Sequence, residues 1–80
     1  MTNLEKYNMA YVNVFGVSED MLDGLKYQGI DAWDSVGHMS LIAEIEDAFD
    51  IMMDTDDIID FNSYDKGKII LSDNYEVKFE

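Results

Sequence analysis

Trp33-Asp34-Ser35-Val36-Gly37-His38-Met39-Ser40-Leu41-Ile42-Ala43-Glu44-Ile45-Glu46-Asp47-Ala48-Phe49-Asp50 reads as one amphipathic helix with a polar entry. Leu41, Ile42, Ile45, Ala48 and Phe49 recur at three- and four-residue spacing, which makes a wide apolar face for a core. Asp34 and Ser35 both favour helix starts, so the spacing predicts a helix from about Ser35 to Asp50 with Ser35 at its cap or first position. The Ser35 hydroxyl is then expected at the surface, near backbone N–H groups that have no partner within the helix. Val36, Met39 and Ala43 lie on the opposite side, flanked by Ser40, Glu46 and Asp47. An apolar strip edged by acids and starting beside Ser35 has the character of a docking surface. The alternative is that Met39 packs sideways onto a neighbouring helix.

Outward from this stretch, three more helical segments are expected. Leu4, Tyr7, Tyr11, Val14 and Phe15 share one side of a helix over Asn3 to Phe15, with Thr2 or Asn3 to cap it and Gly16 to end it. Val12 and Met9 fall off that stripe and are expected half-exposed. A long connection follows, from Gly16 to Asp34. Met21, Leu22, Leu25, Tyr27 and Ile30 give it apolar anchors, and Ser18 is placed to cap one short turn. Loops of this length in small domains are often functional, and this one is expected to lie across the bundle. Thr55 is expected to cap a short turn from Asp56 to Phe61. Ser63 is expected to cap a fourth helix from Tyr64 to Asp73 or Tyr75, with Tyr64, Gly67, Leu71 and Tyr75 inward. Strand-like alternation in Ile69-Ile70-Leu71 and Tyr75–Phe79 leaves an Asp73-Asn74 hairpin as the alternative. The helix is favoured because no third strand would support a lone hairpin. Val77 or Phe79 then returns to the first helix.

Eighty residues make one small domain, and with no Cys it must be held by apolar contacts alone. The absence of a long apolar run and of a basic, apolar leader leads us to expect a soluble cytoplasmic monomer. Eighteen acids against five lysines and no arginine give a net charge of −13. Such a charge disfavours nucleic acid and anionic membrane as partners, because binding them requires cations. It favours basic protein surfaces and loosely held metal ions. From Asp31 to Asp60 there are ten acids and no lysine.

Asp34-Ser35-x-x-His38 suggests a nucleophile, but acid, base and nucleophile within one helical turn cannot form a relay, and an oxyanion-hole motif is absent. No catalytic residue is assigned. Asp54-x-Asp56 opens like a calcium loop, yet Ile59 stands where a Gly is needed and Asp65 where a Glu is needed. A specific metal site is therefore not expected, although Asp56, Asp57 and Asp60 suit loose cation binding. Taken alone, Ser35 reads better as a plain capping serine than as a modified one.

The surroundings change that balance. Gly29-Ile30-Asp31-Ala32-Trp33-Asp34-Ser35-Val36-Gly37-His38-Met39, continuing through Leu41-Ile42-Ala43-Glu44-Ile45-Glu46-Asp47-Ala48-Phe49, resembles the acyl carrier protein family. That family carries an Asp-Ser-Leu motif at the head of its second helix, followed by an apolar helix ending in acids and Phe. The resemblance covers essentially the whole chain. It implies an all-α bundle of three main helices plus one short helix, with a long loop between the first and second. It also implies that Ser35 accepts 4′-phosphopantetheine from coenzyme A. A dedicated phosphopantetheinyl transferase with Mg²⁺ adds it, with Asp34 aiding recognition. The thiol of the arm then holds acyl groups as thioesters for partner enzymes with basic docking surfaces. Val36, Ala43, Glu46 and Asp47 match positions that usually meet those partners. Met39 on the apolar strip and Asp56 and Asp57 on the third helix complete the candidate contacts. Val36 stands in place of the usual Leu, Gly37 and Ser40 in place of acids, Asp54 in place of a Pro, and Trp33 in place of a Gly or Leu. These departures point to a stand-alone carrier of a specialised pathway. An aminoacyl or peptidyl carrier of the same fold is one alternative. An unmodified acidic interaction or calcium-buffering module is the other.

Overall fold

Thr2 opens the first helix in the computed structural model, which describes residues 1–79. Helix α1 spans Asn3–Phe15. The Thr2 hydroxyl accepts from the Glu5 amide at 3.1 Å, and the Glu5 carboxylate accepts from the Thr2 amide at 2.9 Å. This reciprocal box satisfies two of the end amides, and a cap of this type stabilises by about 1 kcal/mol. The helix stops at Gly16, whose left-handed backbone (φ 68°) turns the chain away. Helix α2 spans Ser35–Phe49, α3 Thr55–Asp60 and α4 Tyr64–Asn74. α4 starts where expected, with the Ser63 hydroxyl accepting from the Lys66 amide at 3.0 Å. The described residues contain no β-strand, only an isolated bridge between Lys26 and Ser63. The hairpin alternative for the C-terminal segment is thus not adopted. None of the described helices is long and apolar enough to cross a membrane.

Two local expectations need correction. Asp54, not Thr55, is the cap residue of α3, because its backbone is still extended (φ −69°, ψ 151°) and Thr55 is already helical. The Ser18 hydroxyl does not cap the short 3-10 turn Glu19–Met21; it donates instead to the Asp20 carboxylate. The inner face of α4 also takes in Ile70, while Tyr75 ends the helix, half-buried against the core.

α1 packs on α2. The long connection is stitched across the bundle by the Tyr64 amide to the Leu25 carbonyl (2.8 Å) and the Tyr27 amide to the Asn62 carbonyl (2.9 Å). Leu22, Leu25 and Trp33 from that connection are buried. The centre is aromatic. Tyr7 and Tyr11 of α1 meet Tyr64 of α4 at 5.1 and 5.4 Å between ring centroids, and Trp33 meets Tyr11 at 5.6 Å and Phe15 at 5.4 Å. Edge and tilted contacts of this kind contribute about 0.5–1.5 kcal/mol each beyond area burial. Phe79 returns to Tyr7 at 5.2 Å, as expected of the C-terminal residues.

Two hydroxyls sit inside this centre. Tyr7 Oη donates to the Tyr64 carbonyl at 2.6 Å, and Tyr11 Oη lies 2.8 Å from Tyr7 Oη. A carbonyl can only accept, so the Tyr7 proton is committed to it and Tyr11 must donate to Tyr7. No buried side-chain nitrogen or oxygen among the described residues lacks a partner. Burial pushes both phenols well above the ordinary tyrosine range. Raised folded-state values mean that stability is intact below about pH 10, the unfolded value. It is lost as pH rises further, because the unfolded chain releases protons that the folded chain keeps. The expected loss is about 1.4 kcal/mol per pH unit for each of the two tyrosines. Denaturant titrations at stepped alkaline pH check this. Stability that stays flat until well past pH 11 would contradict the burial of these hydroxyls.

Candidate functional site

The head of α2 is built by a close approach that only glycine permits. A Cβ on Gly37 would lie 2.0 Å from the Ala32 carbonyl oxygen. Without one, the turn ending in Trp33 closes onto the first turn of α2. Asp34 then takes the cap position in an extended conformation, and its Oδ1 accepts from the Gly37 amide at 2.8 Å. Ser35 is the first helical residue and is exposed. Its Oγ lies 3.2 Å from Tyr27 Oη, whose ring comes from the middle of the long connection.

Behind Ser35, His38 is held at both nitrogens. Its Nε2 lies 2.8 Å from the Ile58 carbonyl of α3, and its Nδ1 accepts from Trp33 Nε1–H at 3.0 Å. The carbonyl requires a proton on Nε2, and the indole requires a lone pair on Nδ1, so the geometry selects one neutral tautomer. The Trp33 and His38 ring planes lie within 16° of each other, as an N–H to N bond between ring edges favours. No nitrogen is left to take a proton from Ser35. His38 is a bolt between the α2 entry and α3.

Beside Ser35 runs an open groove of about 360 Å³. Tyr27, Ser35, His38 and Met39 line it, together with Ile58 and Ile59 from α3 and Phe61 and Asn62 from the turn after it. Val36 (77 % exposed), Met39 (54 %) and Ile59 (69 %) leave apolar surface around the hydroxyl. The strip that the helical spacing placed outward is outward: Val36, Met39, Ala43 and Asp47 are all exposed.

The acids divide into two sets. Asp47 and Asp56 are exposed. Glu46 is half-buried and its Oε2 accepts from the Met53 amide at 2.9 Å, tying the α2–α3 connection. Asp57 is half-buried too, and its two oxygens accept from Asn74 Nδ2 (3.0 Å) and Tyr75 Oη (2.7 Å), anchoring α3 to the end of α4. Glu46 and Asp57 thus keep a negative field while also holding their own backbone in place. The described residues contain one ion pair, Lys68–Asp65 at 3.9 Å, so the acidic face is uncompensated. Near Asp54, Asp56, Asp57 and Asp73 there is a second open hollow of about 680 Å³. Among the described residues, no three His, Asp or Glu side chains converge to hold a metal ion.

Sequence reasoning missed Tyr27, Ile58 and Ile59. Tyr27 stood between Gly24 and Gly29 as an apolar anchor, and periodicity has no purchase on a loop. The adjacent Ile58-Ile59 pair carried a usable signal, because a six-residue helix on the surface cannot bury two neighbouring isoleucines. Comparison with protein-family models, with curated proteins and with solved structures gives no match to this chain.

Proposed function

We propose that the protein is a carrier of the acyl carrier type. In this reading it is a cytoplasmic monomer that holds an acyl group on a 4′-phosphopantetheine arm attached to Ser35 and delivers it to successive enzymes. The observation that carries the reading is the Ser35 hydroxyl, exposed at the first position of a fifteen-residue helix and opening onto an apolar groove. A phosphate ester there is favoured by the helix dipole and by amides at the helix start. The order of elements supports the same reading: three longer helices, a short third one and a long first connection.

The residues present fit such an arm. Ser35 offers an unburied oxygen, the groove offers apolar contact to a chain leaving it, and the chain needs no Cys of its own because the arm brings the thiol that forms the thioester. The remaining work falls to the surface. Asp34 fixes the first turn by capping it and presents a carboxylate next to the modified oxygen. Val36 and Met39 offer the apolar contact that sets a partner's pose, and Asp47 and Asp56 steer a basic partner during encounter. Because the acids are exposed, that steering should weaken with salt.

The test is direct. Incubated with coenzyme A, Mg²⁺ and a broad-specificity phosphopantetheinyl transferase, the protein should gain the mass of one phosphopantetheine in intact-mass spectra. Ser35→Ala should keep its helical circular dichroism and gain nothing. An unmodified wild-type protein, or the same increment on the alanine variant, would remove the proposal.

A further inference from the structure

We propose that Tyr27 is the binding residue for the phosphate that the carrier arm places on Ser35. The inference rests on attachment at Ser35. In attachment the Ser35 O–H bond breaks and an Oγ–P bond forms. The phosphoanhydride P–O bond of coenzyme A breaks, 3′,5′-ADP leaves with its electron pair, and the proton passes to a base of the transferase. After this exchange Oγ has no proton to give and is a poor acceptor. Tyr27 Oη, 3.2 Å away, then loses its hydroxyl partner and faces the phosphate oxygens one bond farther out.

Among the ring side chains around Ser35 and its neighbouring acid, the same residue stands out as a donor, beside the amides at the helix start. His38 lines the same groove and is the side chain most expected to meet an anion, yet both of its nitrogens are committed, to Trp33 and to the Ile58 carbonyl. Asp34 is a carboxylate and repels a phosphate. Trp33 Nε1–H already donates to His38. Once Oγ is esterified the Tyr27 O–H is left to donate elsewhere, and its position is held by the backbone rather than by the serine. Its amide donates to the Asn62 carbonyl at 2.9 Å, and its ring stands edge-on to His38 at 5.6 Å and to Trp33 at 6.5 Å. A phenol held this way donates a charge-assisted hydrogen bond to the phosphate, stronger than the neutral one it replaces. It also draws the first bonds of the arm toward the groove wall and away from Asp34.

Tyr27→Phe keeps the ring and removes only the donor. The wild-type and Tyr27→Phe holo-proteins are prepared with coenzyme A and a transferase, each verified by mass, and their ³¹P resonances are compared in folded protein and in urea. The expected result is a wild-type resonance displaced from its urea-unfolded position, and a Tyr27→Phe resonance moved back toward that position with circular dichroism unchanged. Equal folded-state shifts in the two proteins, each bearing the arm, would overturn the role of Tyr27 while leaving attachment intact. Absence of the mass increment on the wild type would instead overturn attachment at Ser35, and this inference with it.

Discussion

Trp33→Ala is expected to leave this chain at the edge of unfolding. Trp33 is fully buried, and its ring meets Tyr11, Phe15 and His38. Truncating a buried aromatic of this size costs about 3–5 kcal/mol. Stability scales at about 0.05–0.15 kcal/mol per residue, which is of order 4–12 kcal/mol for this chain. The substitution therefore removes a large share of the whole. It also takes the N–H from His38 Nδ1, and with it one of the two bonds fixing the imidazole that holds α3. At about 4–8 °C per kcal/mol for a domain of this size, the melting temperature should fall by more than 10 °C. Circular dichroism is the right probe, since the variant has no tryptophan left to fluoresce. Trp33→Phe separates the two roles: it keeps most of the apolar volume and loses the donor, and should cost much less. A fall below about 5 °C for the alanine variant would mean that the turn before Ser35 is not built on this ring.

That turn shows where the sequence was readable and where it was not. Helix ends were legible because their chemistry is local. Thr2, Gly16, Asp34 and Ser63 each act on backbone groups within a few residues, so residue type narrowed the starts to Thr2 or Asn3 for α1, Asp34 or Ser35 for α2, and Ser63 for α4. The α3 boundary slipped by one residue because Asp54 and Thr55 are both good caps and nothing nearby chooses between them. The outward strip of Val36, Met39 and Ala43 followed from helical period and stands exposed. What could not be read was whatever joins distant segments. Trp33 registered in the sequence as a departure from a family pattern; in the fold it is a buried wall of the site, because no periodicity marks which loop residues turn inward. Glu46 and Asp57 looked like free surface acids, yet each accepts hydrogen bonds from backbone or side chains across a turn or from α4. The Tyr27–Ser35 contact spans eight residues of irregular chain, and the angle at which Tyr27 arrives is set by the Lys26–Ser63 bridge region and by packing on His38 and Trp33. The candidate site is therefore local in its serine, its Asp34 cap and its outward strip, and tertiary in Trp33, Tyr27 and the two anchored acids.

Gly67→Ala sets two magnitudes of opposite sign against each other, and the geometry decides between them. Gly67 lies inside α4, where alanine is favoured over glycine by about 1 kcal/mol. Its missing side chain, however, lets α4 sit directly on the aromatic centre. A Cβ there would lie 2.2 Å from Tyr7 Oη and 2.4 Å from Phe61 Cζ, both on fully buried residues. Tyr7 cannot retreat freely, because its hydroxyl donates to the Tyr64 carbonyl and accepts from Tyr11. Overpacking of this kind costs about 1–3 kcal/mol and occasionally more, and contacts this short belong at the upper end. Breaking the Tyr7 hydrogen bond adds about 1 kcal/mol. The net expectation is a destabilisation of roughly 2–3 kcal/mol in urea titrations, against the gain that helix propensity alone would give. The clash makes a sharper demand in a double-mutant cycle. Tyr7→Phe removes the nearest atom, so Gly67→Ala should cost less in that background than in the wild type, with a coupling of about 1 kcal/mol. Phe61 remains in the way, so the cost should shrink without disappearing. Additive effects of the two substitutions would show that α4 does not rest on the Tyr7 hydroxyl.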